Sequence, residues 1–180
     1  MPFSSNYFKK EIKDLINGSD FSTFLDVGAG AGVYGQMIRE LKPLAKVDAV
    51  EVHQPYVEQF KLNKVYDEVF NVDVSTAEAR DVFFDRPYDC VIIGDCIEHL
   101  LKSAGVDLLH FWWYRAKRII VVYPVNSLQY TVAGVKSENH VSVWDRSDFA
   151  LFDHDYFSED IMRLVVIRGL LHFRAPAKTG

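Results

Sequence analysis

The stretch FLDVGAGAGVYG, Phe24 to Gly35, constrains the fold more than any other part of this chain. Four residues of strand-like, apolar character run straight into alternating glycines, and helical periodicity follows over Val33 to Leu41, stopping before Pro43. A strand, a tight glycine turn and a helix in that order form the opening of a nucleotide-binding βα unit. Glycine allows the turn and lets a ligand approach the backbone. The glycines can be read in two ways. Gly30-x-Gly32-x-x-Gly35 has dinucleotide spacing, whereas Asp26-x-Gly28-x-Gly30-x-Gly32 uses the earlier glycines and gives Asp26 a task. A carboxylate at the loop mouth suits a ligand bearing an ammonium and a sulfonium better than one bearing two phosphates.

The rest of the chain repeats the pattern. Phe3 to Ile16 carries apolar residues at helical spacing and ends at Asn17-Gly18. Val47 to Val50 is a second strand, followed by Glu51; Tyr56 to Leu62 is a helix with Pro55 in its first turn. Glu68 to Val72 is a third strand, followed by Asp73. Tyr88 to Ile93 is an unbroken strand of mid-sheet character, followed by Asp95. Val106 to Ala116 reads as a helix and Arg118 to Tyr123 as a fifth strand. Such alternation implies a doubly wound, mostly parallel α/β sheet. Leu151 to Phe157 and Ile161 to Arg168, joined by Ser158-Glu159-Asp160, read as a closing antiparallel hairpin.

In such sheets ligands lie at the carboxyl ends of the strands, at the topological switch point. Acids stand there after each of the first three strands, and Asp95 follows the fourth. Glu51 is placed to accept from two ribose hydroxyls. Asp73 is placed to accept from an adenine amino group while Val74 packs on the ring. Any one such acid is ordinarily a helix cap or a solvated loop residue; four at successive strand ends are not explained that way.

FLDVGAGAGVYG, AVEVHQPYV, VFNVDVS and YDCVIIGDCIEHLL, taken together, resemble the class I S-adenosylmethionine-dependent methyltransferases over roughly residues 24–125. The resemblance implies a Rossmann-like seven-stranded sheet ending in an antiparallel hairpin. It implies that Asp26, Gly28, Gly30 and Gly32 surround the methionine part of S-adenosylmethionine, that Glu51 holds the ribose, and that Asp73 and Val74 hold the adenine. Asp95 then lies near the methyl group.

Methyl transfer to a hydroxyl needs alignment and removal of a proton. If Asp95-Cys96-Ile97-Glu98-His99 begins a helical turn, residues 95, 98 and 99 share one face. His140, in the loop after the fifth strand, is the fourth candidate. One reading makes His99 or His140 a general base with Glu98 beside them. A second makes Asp95, Glu98, His99 and His140 ligands of a divalent metal that acidifies the acceptor. In a third, Glu98 and His99 only order the loop. The Asp-x-x-Glu-His pattern is similar to that of ubiquinone-pathway O-methyltransferases and small-RNA 2′-O-methyltransferases, which implies a metal; those families favour glutamate where this chain has Asp95. The run NHVSVW, Asn139 to Trp144, resembles small methyltransferases of polysaccharide and nucleotide-sugar pathways.

Composition narrows the partners. At 180 residues the chain supports one core, read as a single domain: an N-terminal helix over the cofactor site in 1–18, a cofactor-binding core in 24–125, and an acceptor loop with the hairpin in 126–180. A net charge of -5 supplies no field for nucleic acid, so a small polar molecule methylated at oxygen is the expected acceptor. Two cysteines, Cys90 and Cys96, fit a reducing cytoplasmic setting, and no apolar run reaches membrane-spanning length. The rivals are a methyltransferase-like binding subunit without catalysis and an NAD-dependent oxidoreductase; oligomeric state has no signature in the sequence.

Overall fold

The computed structural model describes residues 6–125, 127, 129–130 and 134–173. Seven strands form one sheet in the order β3-β2-β1-β4-β5-β7-β6. They are β1 (Thr23–Val27), β2 (Lys46–Val50), β3 (Glu68–Phe70), β4 (Tyr88–Gly94), β5 (Ala116–Pro124), β6 (His154–Glu159) and β7 (Met162–Arg168). The first five run parallel, and β7 pairs antiparallel with both β5 and β6. This is the expected doubly wound sheet with its terminal hairpin. The order reverses between β1 and β4, which puts the switch point between the glycine loop and the segment after β4.

The period-two pleat explains why the central strands are continuously apolar. Phe24, Ile92, Ile120 and Val166 enter a core on one face with Ile12, Ile16 and Ile38. Their neighbours Leu25, Ile93, Val121 and Val165 enter a second core on the other face with Trp112, Trp144 and Phe149. Helices α1 (Lys9–Asn17) and α2 (Val33–Leu41) supply residues to the first core. Helices α4 (Ala77–Phe83) and α5 (Lys102–Trp113) supply residues to the second, and α3 (Gln54–Gln59) follows β2.

Several boundaries differ from the sequence reading, for local physical reasons. Residues 1–5 of the expected first helix lie outside the described residues; α1 starts after Phe8, whose φ is 59°. It ends at Gly18 as expected, though in right-handed geometry with φ −75°. Helix α1 buries its stripe Phe8, Ile12 and Ile16 in the first core and contributes no residue to the lining of the cleft described below. Strand β3 stops at Phe70, because the Asn71 amide turns back to donate to the Glu51 and Val52 carbonyls at 2.6 and 3.1 Å. Helix α4 has no strong sequence signature: seven residues, two buried positions (Ala79 and Phe83), and a Thr76 cap accepting from Ala79 N–H. The hairpin starts at His154 because Arg146–Phe149 form a 3-10 turn capped by Asp145, and its tight turn is Asp160-Ile161, with Asp160 at φ 48°.

Gly105, inside α5, has a specific reason to lack a side chain. A Cβ there would lie 2.5 Å from Cζ2 of the buried Trp144. Helix propensity alone favours alanine over glycine by about 1 kcal/mol, so the two effects have opposite signs. Gly105→Ala is expected to destabilise the protein by about 1–3 kcal/mol, the usual scale of overpacking. Urea denaturation of both proteins checks this, and a more stable variant would show that Trp144 yields freely.

Candidate functional site

The glycine loop folds over the carboxyl end of β2. Gly28 and Ala29 N–H both donate to the Val50 carbonyl, at 2.9 and 3.1 Å. Gly28, Gly30 and Gly32 have φ of 76°, 50° and 77°, so three alternate positions need the left-handed region that glycine alone enters readily. At Gly28 a side chain is excluded twice over, since a Cβ would sit 2.7 Å from the Cys96 sulfur. The alternating glycines are thus demanded by the turn and by its packing on the segment after β4.

Beside this loop lies a cleft of about 220 Å³. Its wall includes Gly28 and Gly30, Glu51 and Val52 after β2, Asp73 and Val74 after β3, and Asp95, Cys96 and His99 after β4. Ser137 and Glu138, far along the chain, close it from another side. Four of its lining residues are acids (Glu51, Asp73, Asp95 and Glu138), and among the described residues none that lines it is lysine or arginine. Glu51 is 6% exposed; its carboxylate accepts from Gly30 N–H and His53 N–H, each at 2.8 Å. Burial pushes the Glu51 carboxyl upward in pKa, and those two donors oppose the shift. One Asp73 oxygen accepts from the Ser75 amide and hydroxyl, which fixes the acid at the strand end.

Two expected loop residues lie off this wall. Gly32 caps α2 instead of facing the cleft. Asp26, read as standing at the loop mouth, is 1% exposed and lies in β1, behind the loop. There it accepts from the Tyr66 hydroxyl at 2.5 Å, and that hydroxyl accepts from Gly35 N–H at 3.2 Å. Asp26 is not among the residues that line the cleft. It holds the loop from within. Burial raises its pKa to about 7 against the opposing Tyr66 hydrogen bond.

The candidates after β4 and β5 converge only in part. Asp95 does not start a helical turn: its φ is 48°, and its N–H donates to the Val122 carbonyl at 2.8 Å. The 3-10 turn spans Ile97–His99, so Asp95 does not share a face with the other two. Glu98, His99 and His140 do meet, each offering a donor atom within 4.8 Å of the others. His140 Nε2 is 3.9 Å from Glu98 Oε1, and the two imidazoles meet edge to face at 4.8 Å. Asp95 stays on the cofactor wall, outside this set.

The imidazole orientations follow from backbone contacts. His99 Nδ1 lies 3.0 Å from the Asn139 carbonyl and His140 Nδ1 lies 2.9 Å from the Ser127 carbonyl. A carbonyl only accepts, so both Nδ1 atoms carry a proton, and in the neutral ring it is Nε2 that keeps the lone pair. Glu98 is 2% exposed and its Oε2 has no hydrogen-bond partner among the described residues. Burial, then the nearby Asp95 charge, pushes the Glu98 carboxyl well above the usual range. Burial lowers the His99 imidazole. Two lone-pair nitrogens and an unsatisfied carboxyl oxygen form a donor set suited to a divalent cation. Binding at about 2.1 Å requires only small side-chain adjustment from the present spacing. The cluster adjoins the cleft through His99, which belongs to both.

The sequence reading missed Val50, Val52, Val72, Gly94, Cys96, Leu100, Ser137 and Glu138. The first six adjoin residues already singled out, so position alone could have found them. Ser137 and Glu138 carry no local signal, because only tertiary folding brings the segment after β5 to this wall.

No protein-family model and no curated protein matches the chain. Solved structures do share its fold. An O-methyltransferase family protein from Burkholderia thailandensis superposes with a TM-score of 0.64 at 12% identity, over 90% of this chain and 56% of that one. The N-terminal domain of EvdMO1 with SAH bound gives 0.69 at 14% identity, over 92% and 82%. The methyltransferase domain of bacterial CtHen1-C gives 0.63 at 13% identity, over 88% and 95%. The chain therefore spans little more than half the length of the first and most of the others, and it has the Rossmann-like methyltransferase fold.

The buried Asp26 makes a pH prediction with a definite sign. An acid whose folded pKa is raised binds its proton more tightly when folded. Its stabilising effect is full below the unfolded value of 3.8 and is lost as pH climbs through about 7. Against Asp26→Asn, wild-type stability should therefore fall between about pH 4 and pH 7, by at most about 1.4 kcal/mol per pH unit. Urea melts of both proteins across that range check it; parallel curves would show that Asp26 titrates normally.

Proposed function

We propose that the protein is an S-adenosylmethionine-dependent methyltransferase acting on a hydroxyl of a small polar acceptor. One observation carries the reading: a cleft walled by four carboxylates and no basic side chain shares His99 with the Glu98–His99–His140 cluster. The first half suits a cofactor with a sulfonium and an ammonium. It disfavours NAD, whose pyrophosphate would enter an acid-lined cleft without a compensating lysine or arginine among the described residues, though the Glu51 position suits the ribose of either cofactor. The second half supplies chemistry beside the expected methyl position, which a binding subunit without catalysis does not need.

In this reading Glu51 accepts from the ribose hydroxyls, and Asp73 with Val74 holds the adenine. The turn Gly28–Gly30 presents backbone to the methionine part, and Asp95 lies near the reacting end. Asp26 and Gly32 act one step back: Asp26 fixes the loop through Tyr66, and Gly32 sets the start of α2. The acceptor is bound by the region around Glu98 and by the segment after β5, which brings His140. A net charge of -5 and an acidic cleft favour a small molecule over a polyanionic nucleic acid.

The cluster is proposed to hold a divalent cation through Glu98 and the two Nε2 atoms, and the observation favouring this is the buried, partnerless Glu98 Oε2. A bound cation supplies Lewis acidity that lowers the pKa of an acceptor hydroxyl. The chain's own contribution is orientation: the Asn139 and Ser127 carbonyls lock both imidazoles with their lone pairs directed into the cluster.

Calorimetric titration tests the cofactor. Micromolar affinity for S-adenosylmethionine and S-adenosylhomocysteine, with none for NADH, is expected; the reverse order overturns the reading. Glu51→Ala should weaken S-adenosylhomocysteine by about 1.5–3 kcal/mol, the scale for losing charge-assisted hydrogen bonds. For the cluster, His140→Ala should slow turnover by about 10²–10⁴-fold, and a chelator should abolish wild-type activity until a divalent ion is restored. A chelator without effect, alongside a slow His140→Ala variant, would instead make His140 a general base.

A further inference from the structure

The turn after β2 and the segment after β5 meet at the cofactor cleft, although β1 and β4 separate those two strands in the sheet. Ser137 and Glu138, of the 3-10 turn Lys136–Glu138, border the same cavity as Glu51, Val52 and Asp73. Tyr56, in α3, donates its hydroxyl to the Glu138 carboxylate. That bond ties α3 to the segment and sets Glu138 on the side of the cleft read as holding the nucleoside.

Both acids on this side are aimed by the same few residues. His53 N–H donates to Glu51 at 2.8 Å, and the His53 imidazole meets the Tyr56 ring edge to face, with centroids 4.4 Å apart. Tyr56 in turn holds the Glu138 side chain, while the Glu138 carbonyl accepts from the Gln129 side-chain amide at 2.7 Å. Glu138 is 8% exposed, and its charge is felt by its neighbours. After burial, it adds to the upward push on the Glu51 carboxyl; burial, then the Glu138 charge and hydrogen bond, raise the Tyr56 hydroxyl to about 12. Two like charges at one poorly solvated cavity repel unless hydrogen-bond donors stand between them. Each Glu51 oxygen already accepts one backbone N–H, from Gly30 or His53. A carboxylate oxygen has two lone-pair sites, so these bonds do not saturate the acids against donors brought by a ligand.

We propose that Glu138 is a second ribose-holding acid, which accepts from one of the two vicinal hydroxyls of the cofactor beside Glu51. The inference rests on the S-adenosylmethionine reading above. A vicinal diol carries two O–H donors on adjacent carbons, which is the pattern that two carboxylates at one cavity call for. Adenine presents its donors at a single amino group, which Asp73 is read as taking. The ribose hydroxyls set hydrogens between the two charges and offset their repulsion without a cation. Tyr56 acts through Glu138: it is a positioning residue that keeps the carboxylate turned to the cavity. Ribose is the same before and after transfer, so Glu138 binds S-adenosylmethionine and S-adenosylhomocysteine alike. The segment that carries His140 is thus gripped by a part of the cofactor that the reaction does not alter.

Calorimetric titrations of the full chain with S-adenosylmethionine, S-adenosylhomocysteine and the 2′-deoxy and 3′-deoxy analogues of S-adenosylhomocysteine test this. Glu138→Gln should bind both parent compounds about tenfold more weakly, the scale of one charge-assisted hydrogen bond, and by the same factor for each. With one deoxy analogue, the one lacking the hydroxyl that Glu138 holds, wild type and variant should bind alike. With the other, the gap should remain. Tyr56→Phe should weaken both parent compounds about threefold and add nothing to Glu138→Gln, because it acts through that carboxylate. Its loss should vanish with the same deoxy analogue, so it serves if the glutamine variant does not fold. A gap that persists with both analogues, a loss confined to S-adenosylmethionine, or no loss in a folded variant overturns the role of Glu138 while leaving the cofactor reading intact. Wild type binding neither parent compound overturns both.

Discussion

A single carbonyl oxygen joins the two halves of the candidate site. Glu98 O, in the 3-10 turn after β4, accepts from both Val141 N–H at 2.9 Å and Ser142 N–H at 3.1 Å. That link brings a segment some forty residues later against the end of β4, and the other contacts build on it. Trp144 is buried behind it, with its indole N–H donating to Ser142 Oγ at 2.8 Å. Lys102 spans from α5 to the Val143 carbonyl and lies over the Trp144 ring at 3.9 Å. Held at its back in this way, the segment presents His140 to the cluster and Glu138 to the cleft. The Asn139 carbonyl, 3.0 Å from His99 Nδ1, gives the segment a second tie to the turn after β4.

This arrangement separates what the sequence could reveal from what it could not. The sheet, the glycine loop and the strand-end acids are encoded locally. Period-two apolar runs and the residue at each strand's carboxyl end can be read one segment at a time, and the switch point follows from chain order. The N–H···O contacts of Gly28 and Ala29 with Val50 merely complete a geometry that three alternate glycines already require. Asp26 was misread because a strand-end position does not say whether a side chain points out of the sheet's end or into its flank; Tyr66, forty residues on, decides it. Asp95 was misread because helical spacing was assumed where the backbone takes a left-handed kink. Glu98, His99 and His140 were found as chemistry-bearing residues, but their convergence depends on long-range backbone bonds that no local pattern announces. Glu138 left no trace at all, since an acid in a polar loop is ordinarily solvated.

The electrostatics show a consistent imbalance. Asp26, Glu51, Glu98 and Glu138 are all buried, and burial is the first cause of the raised carboxyl pKa at Asp26, Glu51 and Glu98. Burying a carboxylate is costly unless it is paired. Elsewhere the fold does pair its acids: Asp89 takes Lys117 at 2.8 Å and three donors from Ser22 and Thr23, which hold its carboxyl below the usual range despite burial. The contrast places the acids whose carboxyl pKa burial raises around the loop, the cleft and the cluster, where charge-bearing ligands are proposed to bind. Such concentration of perturbed groups is the physical mark of a functional site.

A further consequence links stability to occupancy. Acids held above their ordinary pKa weaken the fold as pH rises, because the unfolded chain loses those protons more easily. A cation that binds only the folded chain, whether a sulfonium in the cleft or a metal ion in the cluster, offsets that loss by mass action. The two kinds of ligand act on different carboxylates, Glu51 and Glu138 in one case and Glu98 in the other, yet both sets are carried by segments joined at the Glu98 carbonyl. In the proposed reading the sheet fixes where the strand ends stand, and the positive charge of the ligands offsets the cost of the acids buried around them.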